Sequence, residues 1–554
     1  MKNSKLLAPK ALPFDFEEWK RQPFAQQVKM LCTAWATQGY GAPASAYAFY
    51  VLKIGFYIGM WMFFCSFSAE LGGASEISAW WFKAEALLKA VVWSMLFEVL
   101  GLGCGSGPLT ARYFPPMGGV LHFARPGTIK LPLFPGIPVI GGDKRNLFDV
   151  LVYLALLGSL GRALISADIQ PDLLLPIVIL LPVLGLIDKT IYLAARAEHY
   201  LIAIFCFLFV GEEIMGAKIV WWAIWWGAAT SKLNRHFPSV VAVMISNHAV
   251  LQWPWLRKQL YKNYPEDLRP GRFTNWLAHA GTVVEYSFPL LLIFGDGGPI
   301  TTIGLVVMFC FHLYITSSFP MAVPLEWNVI MVYGAFVLFG HHAEVSPFDV
   351  HSPLLITGLL LSCLIVPILG NLFPKWVSFL LSMRYYAGNW AYSIWLFKGN
   401  GEEKMDEHLT KASKTVLRQL DMFYDKNTAE SLVAKVIGFR SMHLHGRALQ
   451  ELVPKAVDNV KEYAWRDGEL VAGVALGWNF GDGHLHDEQL LSAIQKRCQY
   501  ESGELRCIMV ESQPMGKPYM NWRIVDAADG EVDSGKVKVK DLEKLQPYPI
   551  FEFA

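Results

Sequence analysis

Two stretches of this chain, residues 299–325 and 353–374, run for more than twenty positions each without one Asp, Glu, Lys or Arg. The hydrocarbon core of a bilayer is about 30 Å thick and an α-helix rises about 1.5 Å per residue, so a crossing needs about 20 apolar residues in a row. A helix of that length on a water-soluble protein carries a polar face. Segments near 47–69, 84–104, 147–166, 172–195, 198–215, 217–233 and 274–295 approach the same condition with a few ionisable residues each, and 327–341 is shorter. The pattern predicts an α-helical polytopic membrane bundle of about eight to ten spans.

Charge then divides the chain. Residues 398–554 carry 46 of its 95 charged side chains, about 29% of that segment, against about 12% of residues 1–397. This predicts three regions: an N-terminal cytoplasmic or interfacial segment (1–46), a multi-span membrane domain (47–397) and a C-terminal soluble cytoplasmic domain (398–554) of α/β or α+β type. In the last, 405–437 and 486–498 read as helical, and 469–479, 504–512, 520–527 and 535–540 as strands. The aromatic run 375–397 reads as an interfacial helix or an irregular last span.

A formal net charge of +1 gives nucleic acid no basic surface, so it is not an expected partner. The eight cysteines are scattered with no CxxC, which fits reduced thiols rather than a disulfide framework. No apolar h-region opens the chain, so no removable signal peptide is expected. Lys2, Lys5, Lys10, Lys20, Arg21 and Lys29 precede the first span, and Lys375, Arg384 and Lys398 follow the last, which places both ends in the cytoplasm of a bacterial inner (cytoplasmic) membrane protein.

Ionisable side chains at membrane depth cost on the order of 3 kcal/mol on insertion scales, so each is a candidate for function. The densest set is Lys232, His236, His248, His279, Glu285 and His312. A lysine buried among apolar walls loses basicity and becomes a usable base, whereas one at a span end snorkels to the interface. Lys232 is read as the base, Glu285 as its countercharge or orienting partner, and His312 as a relay. The plainer readings are a structural ion pair and a histidine hydrogen-bonded between helices. His236, His279 and Trp226 are candidate substrate contacts. So is Glu326, which follows Pro320 and Pro324 in FPMAVPLEWN, the pattern of a broken helix lining a cavity.

The run TSKLNRHF, then VVEYSFPLLL, then FHLYITSSFPMAVPLEWNVIMVYG resembles the membrane domain of vitamin K-dependent gamma-carboxylase and its bacterial relatives, the horizontally transferred transmembrane domain proteins. From the GAATSKL region through the GWNFGDGHLH tail, nearly the whole chain resembles an uncharacterised bacterial transmembrane family. The carboxylase resemblance covers only about residues 217–340. It implies that Lys232, followed by Leu233, deprotonates a reduced quinone. The carboxylase's large lumenal domain has no counterpart here, so what carries over is a membrane pocket holding a quinone or other lipid-like substrate beside a lysine.

The tail contains two His-x-His pairs, His443/His445 and His484/His486, with Asp482 and Asp487 near the second. On a strand, residues i and i+2 share a face, so each pair could offer two imidazoles to Zn or Fe; turn-stabilising or solvated histidines are the alternative. The leading expectation is a membrane enzyme performing proton-transfer or redox chemistry on a hydrophobic small molecule among membrane lipids. The alternatives are a lipid carrier or transporter, and an assembly subunit whose C-terminal domain docks a protein partner.

Overall fold

Helix dominates wherever the sequence is poor in charge. A computed structural model describes residues 6–104, 118–138, 140–318, 325–384 and 387–549. Its principal helices before the tail are α1 (Phe24–Gln38), α2 (Ala44–Cys65), α3 (Ala84–Val99), α4 (Leu147–Ile165), α5 (Pro171–Ile187), α6 (Glu213–Ser231), α7 (Phe237–Asn247), α8 (Arg272–Phe294), α9 (Pro299–Ser317), α10 (Leu325–Ala335) and α11 (Pro353–Leu372). Residues 319–324 of the proline-containing turn predicted at 319–328 lie outside the described residues.

Among the described residues five helices, α2, α4, α8, α9 and α11, are long and apolar enough to cross a membrane, not eight to ten. Only 22–39% of their central residues are buried. Leu52, Leu151, Ile303, Val306, Leu354 and Leu361 point outward from them, as on helices that face lipid. The remaining predicted spans are shorter or more polar: α3 has 16 residues and α5 has 17, while 198–215 holds the short helix Tyr200–Cys206 and the start of α6. Helix α3 is almost wholly enclosed, which is why it tolerates Lys89 and Glu98; the Lys89 ammonium is met by the carbonyls of Phe64, Leu164 and Ser166 at 2.9–3.1 Å. Enclosure by protein, rather than contact with lipid, makes such helices apolar.

A small hairpin, β1 (Tyr261–Asn263) with β2 (Asp267–Pro270), precedes α8. The tail is built on an antiparallel sheet of β3 (Tyr392–Lys398), β4 (Tyr463–Asp467), β5 (Leu505–Val510), β6 (Tyr519–Asp526) and β7 (Gly530–Lys538) in the order β4-β3-β5-β6-β7. Around it lie α12 (Lys426–Ser441), α13 (Leu444–Ala456), α14 (Gly468–Ala475) and α15 (Glu488–Cys498).

Residues 469–479 are not a strand: the Asp467 side chain accepts a hydrogen bond from the Glu469 amide and caps α14, and this local cap overrides the β-branched composition. Among the described residues, the 375–397 run holds neither an interfacial helix nor a span; its end forms the sheet's internal strand β3, whose residues are buried up to Lys398. A strand covered on both faces loses its polar alternation and reads like any apolar run.

The charge boundary at 398 is not a boundary in space. Val28, Cys32 and Trp35 of α1, Val243 of α7, and Val433 and Phe439 of α12 share one hydrophobic cluster. The approach is close at Gly438, where a Cβ would stand 2.9 Å from the Leu31 carbonyl oxygen. On another side, Gln489 donates to the Pro132 carbonyl and Lys496 pairs with Asp143, tying α15 to the loop before α4.

Candidate functional site

Helix α6 ends at Ser231 because Asn234 turns the chain: its Oδ1 accepts from the amides of His236 and Phe237 at 2.7 and 2.9 Å, and Pro238 then occupies the first turn of α7. This exit puts Lys232 at the helix terminus, facing α8. Its Nζ lies 2.5 Å from Oε2 of Glu285, with the rings of Phe237 and Phe311 at 5.5 and 5.7 Å from the nitrogen. Both side chains are buried, Lys232 at 8% exposure and Glu285 at 4%. The amine is therefore held inside the protein, against one carboxylate and beside two aromatic rings.

The other residues predicted for this site divide. His312 receives a hydrogen bond from Trp225 Nε1 at 3.1 Å on Nε2, and its Nδ1 lies 2.8 Å from Asn328 Oδ1, so both nitrogens are engaged in tying α9 to α6 and α10. His248 is likewise occupied, by Ser317 and the amides of Val250 and Leu251. His279 is exposed on α8. Six residues are 600° of helix, so it points away from Glu285 and is not gathered to the pair. His236 is buried and reaches Gln513 Oε1 at 3.0 Å, a residue of the tail.

Trp226 belongs to a different feature. A cleft of about 810 Å³ runs between α6 and α11, with Trp222, Trp226, Leu360 and Leu364 on its apolar wall. Asn234, Arg235, Asn371, Asn389 and Gln513 give it a polar part where the helices meet the tail. Lys232 is not on this wall, although its neighbours Ser231 and Leu233 are. Trp226 Nε1 donates to the Tyr286 carbonyl, and Thr230 Oγ1 lies 2.6 Å from the Tyr286 hydroxyl. The ion pair thus adjoins residues of the cleft in sequence without itself lining it.

Glu326 is found elsewhere, in a polar centre that the sequence reading did not assemble. It lies beside Glu98 and Cys104, with Lys53 Nζ at 3.5 Å. Next to these, Arg196 Nη1 donates to Cys104 Sγ at 3.2 Å, and its guanidinium carbon lies 5.2 Å from the Trp327 ring and 5.3 Å from Phe480 of the tail. The signal was present as Glu98 in one apolar segment and Arg196, Glu198 and His199 between two others, but nothing local said that they meet.

The four histidines offered for Zn or Fe do not lie on strands and are not gathered around one point. Among the described residues, the group of three or more possible ligands within 4.8 Å of one another is Glu98, Cys104 and Glu326. His443 and His445 open α13, and their Nδ1 atoms meet the Phe439 and Gly388 carbonyls. His486 Nδ1 lies 2.6 Å from Ser393 Oγ. Burial pushes His443 and His486 down to about 3, so both are neutral. Beside them Arg440 bridges Asp467 and Glu469 at 2.9 and 3.0 Å, and Tyr392 donates to Glu469, whose carboxyl burial lifts to about 7. His484 is held differently, with Glu511 at 2.9 Å and Asp482 at 3.5 Å. Burial alone would lower its pKa, but the two carboxylates carry it up to about 10. Both ring nitrogens face carboxylates, which favour the imidazolium.

No curated protein and no solved structure matches the chain. One family does, DUF3556, described as a transmembrane protein of unknown function, and the match runs over residues 5–552. With nearly every residue inside that match, and with five helices fit to cross a bilayer, the chain belongs to the DUF3556 family of transmembrane proteins.

Proposed function

We propose that the protein is a multi-pass inner-membrane enzyme that admits a lipid-like amphiphile, a quinone among the candidates, into the cleft between α6 and α11 and carries out proton transfer at Lys232 and Glu285. The observation that carries this reading is the cleft's change of character. Its apolar wall suits an isoprenoid or acyl chain, its polar part suits a head group, and its volume lies within the range of small-molecule sites. Between Ser231 and Leu233 of its wall, Lys232 carries the buried amine, in the Lys-Leu setting that resembles the carboxylase motif. A proton passed between amine and carboxylate makes either a neutral base or a neutral acid available without a net charge change. The packing of α1 on α12 supports both ends lying on one side of the membrane, and the basic residues ahead of α2 favour the cytoplasmic side.

A carrier is the second reading, because Arg235 is the one charged residue on the described cleft wall. Mass spectrometry of lipids co-purifying with the detergent-solubilised protein separates the two. Leu364→Trp should fill the cleft and remove the bound species. Lys232→Met should keep a bound species but change its chemical identity, since substrate accumulates unconverted. An identical species in the parent and in Lys232→Met supports the carrier, and no lipid in any preparation removes both readings.

A further inference from the structure

Glu98, Cys104 and Glu326 belong to neither the cleft nor the Lys232 pair. Glu98 ends the enclosed helix α3, Cys104 lies in the turn after it, and Glu326 opens α10. Their ligand atoms lie within 4.8 Å of one another, at exposures of 0%, 9% and 2%. The turn is shaped to bring the thiol back: a Cβ on Gly103 would overlap the Glu98 carboxylate, and the Cys104 amide donates to Glu98 Oε2 at 2.9 Å.

The carboxylates are left short of donors. Among the described residues, Glu98 Oε1 has no hydrogen-bond partner, and neither oxygen of Glu326 has one. Each unsatisfied buried acceptor costs about 1–3 kcal/mol, more when charged. Two carboxylates this close add mutual repulsion. Lys53 at 3.5 Å from Glu326 offsets one charge. The Arg196 guanidinium donates to the sulfur and stands 3.6 Å from Glu198.

We propose that Glu98, Cys104 and Glu326 bind one divalent transition-metal ion of the zinc class. A sulfur ligand with two carboxylate oxygens disfavours Mg²⁺ and Ca²⁺, which take oxygen alone. Three protein ligands leave a fourth position open, as in zinc sites that bind water or substrate. Binding expels the thiol proton to solvent, so affinity rises with pH.

The test uses the full-length protein in detergent, stripped with chelator and titrated with Co²⁺. One equivalent should bind with a thiolate-to-cobalt charge-transfer band and release of a proton, and Zn²⁺ should displace it. Cys104→Ser should lose the band. Glu98→Gln and Glu326→Gln should each weaken binding by at least about 10–100-fold. Cys310→Ser, at an exposed cysteine, should change nothing. Should Cys104→Ser fail to fold, the band in the parent and its loss in Glu326→Gln decide the matter. A parent that binds no cobalt, or binding indifferent to all three substitutions, overturns the proposal and leaves two carboxyls sharing a proton.

Discussion

Removing the Lys232 amine tests the packing of the membrane core directly. At 2.5 Å and an effective dielectric constant of about 20, the attraction between Lys232 and Glu285 is about 7 kcal/mol. Withdrawing both ions from water offsets most of that, so the pair as a whole contributes little net stability. Breaking it is another matter. Lys232→Met strands Glu285 at 4% exposure, and Glu285→Gln strands the amine beside Phe237 and Phe311. Each single change should cost about 3–5 kcal/mol. Lys232→Met/Glu285→Gln removes both charges together and should cost far less than the sum, giving a coupling energy of at least about 2 kcal/mol. Denaturant or thermal unfolding of the four purified proteins in one detergent measures the cycle. Additive single effects, or singles within about 0.5 kcal/mol of the parent, would show that the amine does not face the carboxylate, and the proposed base would go with it.

Two further perturbations probe the tail. His484 is raised to about 10, so its contribution is complete below its unfolded value near 6.5 and is lost as pH climbs through 10. Its partners are depressed, Asp482 to about 2, so their contribution is complete above about 4.5 and falls away in acid. Unfolding midpoints followed from pH 6 to 10 should therefore fall, and His484→Gln should flatten the curve; parallel curves would refute the assignment. Gly477 has φ +77 and a Cβ there would overlap the His122 side chain, whereas Gly399 has φ +52 with open space around it. Gly477→Ala should lose more than about 2 kcal/mol and Gly399→Ala about 1–2, and equal losses in thermal unfolding would mean the contact with His122 is not formed.

Several parts of this site were legible because they rest on local cost. A lysine and a glutamate within apolar segments each announce a buried partner, and Lys232 and Glu285 do meet, 53 positions apart. Trp226, His236 and Glu326 were singled out for similar reasons, yet they serve three places: the cleft wall, the contact with Gln513, and the polar centre at Glu98 and Cys104. The His-x-His pairs misled because the strand premise failed. Spacing alone cannot separate a shared strand face from the start of a helix such as α13, and two carboxylates had already claimed His484.

The sequence by itself determined which stretches leave water. Transfer free energy adds up residue by residue, so an uncharged run such as 353–374 declares lipid or enclosure before any neighbour is known. Which of those two environments a run meets was decided only by tertiary structure. Helix α3 and strand β3 are both apolar because protein covers them, whereas α11 is apolar because protein does not. The same holds for the convergence of Glu98, Cys104 and Glu326. Burying ionisable groups together is unfavourable for each taken singly, and it is sustained only when the rest of the fold fixes the elements that carry them.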